Sequence, residues 1–142
     1  MISFNLNADV KGFMNRLLKE DAFDSLEARS AEIACKIRFS VSGALEEEGY
    51  ITWGELRPAI FNLIKSGDKP KTIKIVFSHK NAEVFHPNAA ALFLNMIYEN
   101  DNVTFTTATA QKQFNLEKSL NEQWDEHIIK FFNEKNISIK IN

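Results

Sequence analysis

The spacing of apolar positions changes several times along this chain, and each change marks an element. Ile2, Phe4 and Leu6 recur every second residue, which predicts a short strand over residues 1–6. From Val10 the period lengthens. Val10, Phe13, Met14, Leu17 and Leu18 fall at i, i+3, i+4, i+7 and i+8, an amphipathic helix to about Lys19. Asn7 is placed to cap it, and Asp9 to sit in the first turn against the positive helix end. The opposite face carries Lys11, Gly12, Asn15, Arg16 and Lys19.

Residues 23–41 return to alternation. Ala31, Ile33, Cys35, Ile37, Phe39 and Val41 share one parity, whereas Leu26 and Ala28 have the other. A one-residue shift exchanges the faces of a strand, so a bulge or turn is expected near residues 29–31. The segment reads as two strands or one long bent strand. "SGALEEEGY" then supplies a turn with an acidic run, before a short strand around residues 50–51.

The next helix carries its own start and stop. Thr52-Trp53-Gly54-Glu55 is a capping box, and Ile51 and Leu56 are spaced as a hydrophobic staple. Trp53, Leu56, Ile60, Leu63 and Ile64 form the apolar face. Gly67 and Pro70 end the helix. Pro58 has no N–H for the Gly54 carbonyl, so the helix either kinks or begins there. Ile73, Ile75 and Phe77 share one side of a strand, and residues 79–88 read as a loop. Leu92, Leu94, Met96 and Tyr98 alternate, "ENDN" turns the chain, and "VTFTTATA" completes a hairpin that Phe114 and Leu116 extend or follow. Ser119-Leu120-Asn121-Glu122 is a second capping box. Leu120, Trp124, Ile128, Phe131 and Phe132 give its helix an apolar face, and Ile137, Ile139 and Ile141 mark a candidate last strand.

Composition narrows the setting. A chain of 142 residues, 44% hydrophobic and 25% charged, fits one α+β domain over residues 1–142. The single cysteine, Cys35, allows no internal disulfide, so a reducing, cytoplasmic compartment is expected. The start has no basic and long apolar regions of a secretory signal. No apolar run approaches the ~18 residues of a membrane span. Net charge is −2, shared equally by the two halves, which argues against a strongly basic nucleic-acid binder and leaves room for a local basic face.

Reactive chemistry is thin. His79, His86 and His127 lack helical i, i+4 spacing and a neighbouring Cys or His, so no metal site is read from them. Cys35 lies on the apolar parity and reads as a buried thiol, not a nucleophile. The acidic run at 46–48 reads as a solvated turn. The five glycines are isolated, so no phosphate loop is present. Trp53 and Trp124 sit at apolar helix positions and read as core. No catalytic residue, metal or cofactor is assigned.

Taken together, "ADVKGFMNRLLKEDAFDS", "LRPAIFNLIKSGDKPKTIKIVF" and "LFLNMIYENDNVTFTTATAQKQFNLEKSLNEQWDEHIIKFF" resemble an uncharacterised bacterial family of about this length, a domain of unknown function. That resemblance implies no activity. The order of elements is also similar to one domain of a DNA sliding clamp, two βαβββ units side by side. It implies a core over 1–118, an antiparallel sheet with two helices on one face, and a C-terminal helix and tail over 119–142. In such clamps the helices face DNA. Here the corresponding helices would offer Lys11, Arg16, Lys19 and Lys65, with Arg57 beside them. Helix faces also carry Lys and Arg simply as solvated residues, and Asp9, Glu20 and Asp21 dilute this charge.

The expected function is a non-enzymatic binding or assembly module, clamp-like and linked to DNA transactions. Its partner would be a protein or a second copy, with weak nucleic-acid contact and no membrane. The alternative is an enzyme or small-ligand binder with a site built from separated loops, for which the 79–88 loop with His79 and His86 is the candidate.

Overall fold

A computed structural model describes residues 1–142. The alternating segments become β1 (Ser3–Leu6), β2 (Glu27–Ala34), β3 (Arg38–Ser42), β4 (Thr72–Ser78), β5 (Ala89–Glu99), β6 (Asn102–Gln111) and β7 (Ile139–Ile141). They form one sheet in the order β3-β2-β4-β5-β6-β1-β7, with every pairing antiparallel. The helices are α1 (Val10–Lys19), α2 (Trp53–Ser66), the single turn α3 (Ala82–Phe85) and α4 (Ser119–Glu134). The fold is α+β.

Register explains why one sheet face is dry. Ile75 lies opposite Met96, Met96 opposite Phe105, and Phe105 opposite Phe4, so four strands contribute one apolar row. The row behind it, from Ser30 through Val76 and Asn95 to Thr106, is mainly polar and points the other way. An antiparallel sheet with one packed and one wetted face gives this alternation. α1, α2 and α4 all deliver their apolar sides to the packed face. Phe13 meets Phe105 edge-on, Trp53 meets Phe77, and Phe132 meets both Phe4 and Phe105.

α1 and α2 lie side by side and antiparallel. The Trp53 indole, at the start of α2, donates to the Leu17 carbonyl near the end of α1 at 2.8 Å. Ile64, near the end of α2, lines the same cleft as Val10 and Met14 at the start of α1. α4 is seated on β6 by two polar pairs, Thr107 to Asp125 and Thr109 to Asn121. Two strand residues span about 6.7 Å and four helix residues about 6 Å, so the i, i+2 and i, i+4 spacings match.

Several local expectations hold. The β2–β4 register shifts between Ala28 and Ser30, where the parity change required a bulge. Asn100 and Asp101 have φ of 52° and 59°, the left-handed pair that a two-residue hairpin turn needs. The Thr52 hydroxyl accepts the Glu55 N–H at 3.3 Å. It donates in turn to the Glu55 carboxylate at 3.0 Å, a variation on the expected box. α2 runs from Trp53 to Ser66 with Pro58 inside it, which removes the alternative that the helix begins at the proline.

Others are corrected. Asp9, not Asn7, caps α1, accepting the Gly12 N–H at 2.9 Å. Cys35 and Ile37 belong to the turn between β2 and β3, where Cys35 is half-buried and Ile37 is 67% exposed. Alternation runs through the turn in sequence, but the chain reverses there. The second capping box does not form. Lys118 occupies the cap position without a side-chain bond, and the Ser119 hydroxyl faces His86 Nε2 at 3.5 Å. Of the two readings of Phe114 and Leu116, the second holds: β6 ends at Gln111 and both follow the strand.

Candidate functional site

The antiparallel helices stay in contact near the Trp53 end and leave a cleft at the other. Its volume is about 760 Å³. α1 lines it with Val10, Met14 and Leu18, and α2 with Ile64. Pro70, Ile73 and Tyr98 complete the wall where the chain leaves α2 for β4 and passes the β5–β6 turn. Val10, Met14 and Ile64 pack on the core's edge yet stay only half-buried. The result is an apolar floor open to water.

The rim is charged but largely satisfied. Asp9 is held by its capping bond. Asp101 accepts from the Tyr98 hydroxyl at 3.1 Å and pairs with Lys69 at 3.4 Å. Burial, followed by the hydrogen bond to Asp101, raises the Tyr98 pKa and keeps the phenol a donor. The Lys69 pair is exposed on both sides, and such pairs contribute little. Lys11 has no carboxylate within 4.0 Å. The cleft can therefore hold an apolar group with an anionic atom beside Lys11. No His or Cys lines it.

The four cations named from the sequence lie in different surroundings. Lys11 borders the cleft, and Lys19 lies over the Phe61 ring of α2 at 5.2 Å. Lys65 is exposed in the last turn of α2. Arg16 turns to the other flank of α1, toward Leu6, Asn136 and Ile137. None of the four pairs with a carboxylate. Arg57 is engaged, bonding both oxygens of Asp24 at 2.8 and 3.0 Å, and the hydrogen bond to Asp24 raises its pKa.

The histidines divide differently from the expected 79–88 loop. His79 joins His127 of α4, with ring centroids 5.9 Å apart, in a packed group with Phe85 and Trp124. His127 stacks on the Trp124 indole at 5.4 Å and 14°. His86 stays outside this group, beside Ser119. The two residues that meet are 48 positions apart in the chain, a convergence that spacing alone does not reveal. His79 Nδ1 accepts the Asn81 N–H, which puts the proton of the neutral ring on Nε2. No three His, Cys, Asp or Glu side chains gather with a metal-binding arrangement.

Desolvation lowers both pKa values. Glu27 opposes it at His79. At His127 the His79 charge and Lys130 add to it and Glu134 opposes it. With folded pKa values below the unfolded 6.5, the unfolded chain binds more protons as pH falls through that value. Stability should therefore be full above about pH 6.5 and decline below it. Urea midpoints measured at pH 7.5 and 5.5 check this: the double change His79→Gln and His127→Gln should flatten the decline, and an unchanged pH slope would assign it to carboxylates.

No helix is long and apolar enough to cross a membrane. The family model DUF5721, described as a family of unknown function, matches residues 16–140. The match starts inside α1, after Val10, Lys11 and Met14. No curated protein and no solved structure matches the chain.

Proposed function

The chain belongs to DUF5721, a family of unknown function, and from its geometry we propose that it is a non-enzymatic binding module whose α1–α2 cleft receives an apolar group flanked by an anion. One observation carries this reading. The cleft has the volume of a small-ligand site, about 760 Å³ against the usual ~300–1,000 Å³, and a largely apolar lining. Its carboxylates are already bonded, and Lys11 is the unpaired charge at its mouth. The cytoplasm is the compartment that one unpaired thiol suits.

A cleft kept open for a ligand leaves stability unrealised in the free protein. Met14→Trp should occupy the part of it beside α1, raising stability by about 1 kcal/mol. Octanoate, an apolar chain ending in a carboxylate, should stabilise the wild type through preferential binding to the folded state. The same variant should no longer respond to octanoate. Thermal unfolding with and without octanoate reads both effects. Equal octanoate shifts in the two proteins would place binding outside the cleft.

A second reading keeps the clamp-like, DNA-linked role. It is favoured by the lack of carboxylate partners at Lys11, Lys19 and Lys65, on helices that share one sheet face. Three cations support non-specific affinity of about 10⁻⁴–10⁻⁶ M at physiological salt. This reading requires duplex DNA binding that weakens as salt rises, and binding absent at low salt would remove it.

A further inference from the structure

The segment between β6 and α4 presents apolar side chains without burying them. Phe114 and Leu116 are 86% and 83% exposed. The backbone beneath them is nonetheless held firmly. The Asn88 side chain donates to the Gln113 carbonyl and accepts its N–H, both at 3.0 Å. Gln111 does the same for Asn115, at 3.2 and 3.0 Å. The Lys112 N–H reaches the Asn88 carbonyl at 2.9 Å, and its ammonium pairs with Glu83 at 2.8 Å. The Glu117 N–H is taken by Asn115 Oδ1 at 2.8 Å.

Two amide side chains thus stand in for a neighbouring strand. Fixing a backbone costs conformational entropy, and here no large apolar side chain is buried in return. A rigid platform carrying two outward apolar groups is pre-organised for contact, because little ordering remains to be done on binding.

We propose that the α1–α2 cleft is the receptor for this segment of a second copy of the chain. Phe114 and Leu116 enter the apolar floor, and Glu117 meets Lys11. The inference rests on the cleft being a binding site, and it names the occupant. Leu116-Glu117 has the chemistry read from the cleft, an apolar side chain followed by a carboxylate. The cleft volume accommodates a small molecule, which leaves room for two side chains.

Geometry excludes insertion within one chain. The cleft lies at the Tyr98 and Asp101 end of the β5–β6 hairpin. The segment leaves from the other end, where Gln111 pairs with Ala89. Nine residues of β5 at ~3.4 Å each separate them by about 30 Å. Donor and receptor therefore face opposite ways along the hairpin. Copies pair either reciprocally, as an antiparallel two-fold dimer with two such contacts, or head-to-tail, as a closed ring or an open chain.

Sedimentation velocity tests the inference. Wild-type mass should rise with concentration between micromolar and millimolar protein. The double change Phe114→Ser and Leu116→Ser, both exposed and so compatible with folding, should leave a monomer. Met14→Trp should do the same, and Lys11→Glu, a surface change, serves as a second receptor variant. Mixing the segment variant with a receptor variant should give a one-to-one dimer and nothing larger, since each partner keeps one working end. A wild type that stays monomeric, a mixture that does not pair, or association that survives either receptor variant would overturn the proposal. If the wild type is monomeric but octanoate still binds beside Met14, the cleft reading stands and only its occupant is wrong. If neither association nor octanoate binding occurs, both fail.

Discussion

Trp124→Ala should destabilise the fold by about 3–5 kcal/mol, the range for removing a fully buried large aromatic side chain. Trp124 has 0% of its surface exposed. Its ring stacks on His127, meets Phe85 edge-on at 5.6 Å and touches His79 at 5.9 Å. Its indole N–H donates to the Phe93 carbonyl at 2.8 Å, tying α4 to β5. Alanine would lose the packing, the hydrogen bond and the lid over the 79–85 segment together. Trp124→Phe should recover part of the loss, because a ring still fills much of the space. Urea unfolding of the three proteins measures this. A loss below about 1 kcal/mol for alanine would mean that α4 does not seal the core.

Gly43→Ala should cost about 3 kcal/mol, at the upper end for overpacking, for a different reason. A methyl group at Gly43 would lie 1.7 Å from the Ala28 carbonyl oxygen and 2.8 Å from its carbon. That backbone has nowhere to go. The Ala28 N–H bonds to Ile51 at 2.9 Å, the Gly43 N–H to Arg29 at 2.9 Å, and the Ile51 N–H to Gly43 at 2.8 Å. The segment after β3 is threaded against the β2 bulge, and only hydrogen fits between. Gly49 provides the contrast: its φ is +85°, but a methyl there meets nothing within 4 Å. Equilibrium unfolding of Gly43→Ala decides the point. A change within 0.5 kcal/mol would mean that the bulge relaxes freely.

The sheet and its three long helices could be read from sequence because each rests on a repeating period with one dry face. Leu92, Leu94, Met96 and Tyr98 alternate in sequence and point into one core. The bulge was legible because Ala28 and Ala31 could not otherwise share a face. Legibility failed where a local signal competes with a tertiary one. Ser119 and Glu122 have capping spacing, yet α4 is placed by Thr107 and Thr109 of β6, and Ser119 faces His86. Cys35 and Ile37 keep the parity of β2 into a turn. Asp9 displaced Asn7 as cap because the chain leaving β1 reaches the helix two residues later.

The candidate site was less legible than the fold. Val10, Met14 and Ile64 share the helical stripes of core residues, and nothing in the period distinguishes a filled groove from an open one. The cleft is a gap between elements that are far apart in sequence. The charge of Lys11 is plain in the sequence, but its place at the cleft mouth comes from the antiparallel packing of α1 on α2. Phe114 and Leu116 resembled a strand continuation because the pattern carries no record of Gln111 and Asn88 folding the backbone away.

Methionine methyl groups report most directly on the cleft. Met1 is 74% exposed, Met96 is fully buried under the helices, and Met14 lines the cleft. In protein labelled only at the methionine methyls, titration with octanoate should shift the Met14 resonance saturably and leave Met96 in place. A Met14 signal that stays fixed up to millimolar octanoate, or one that moves only together with Met1 and Met96, would contradict a binding cleft between α1 and α2.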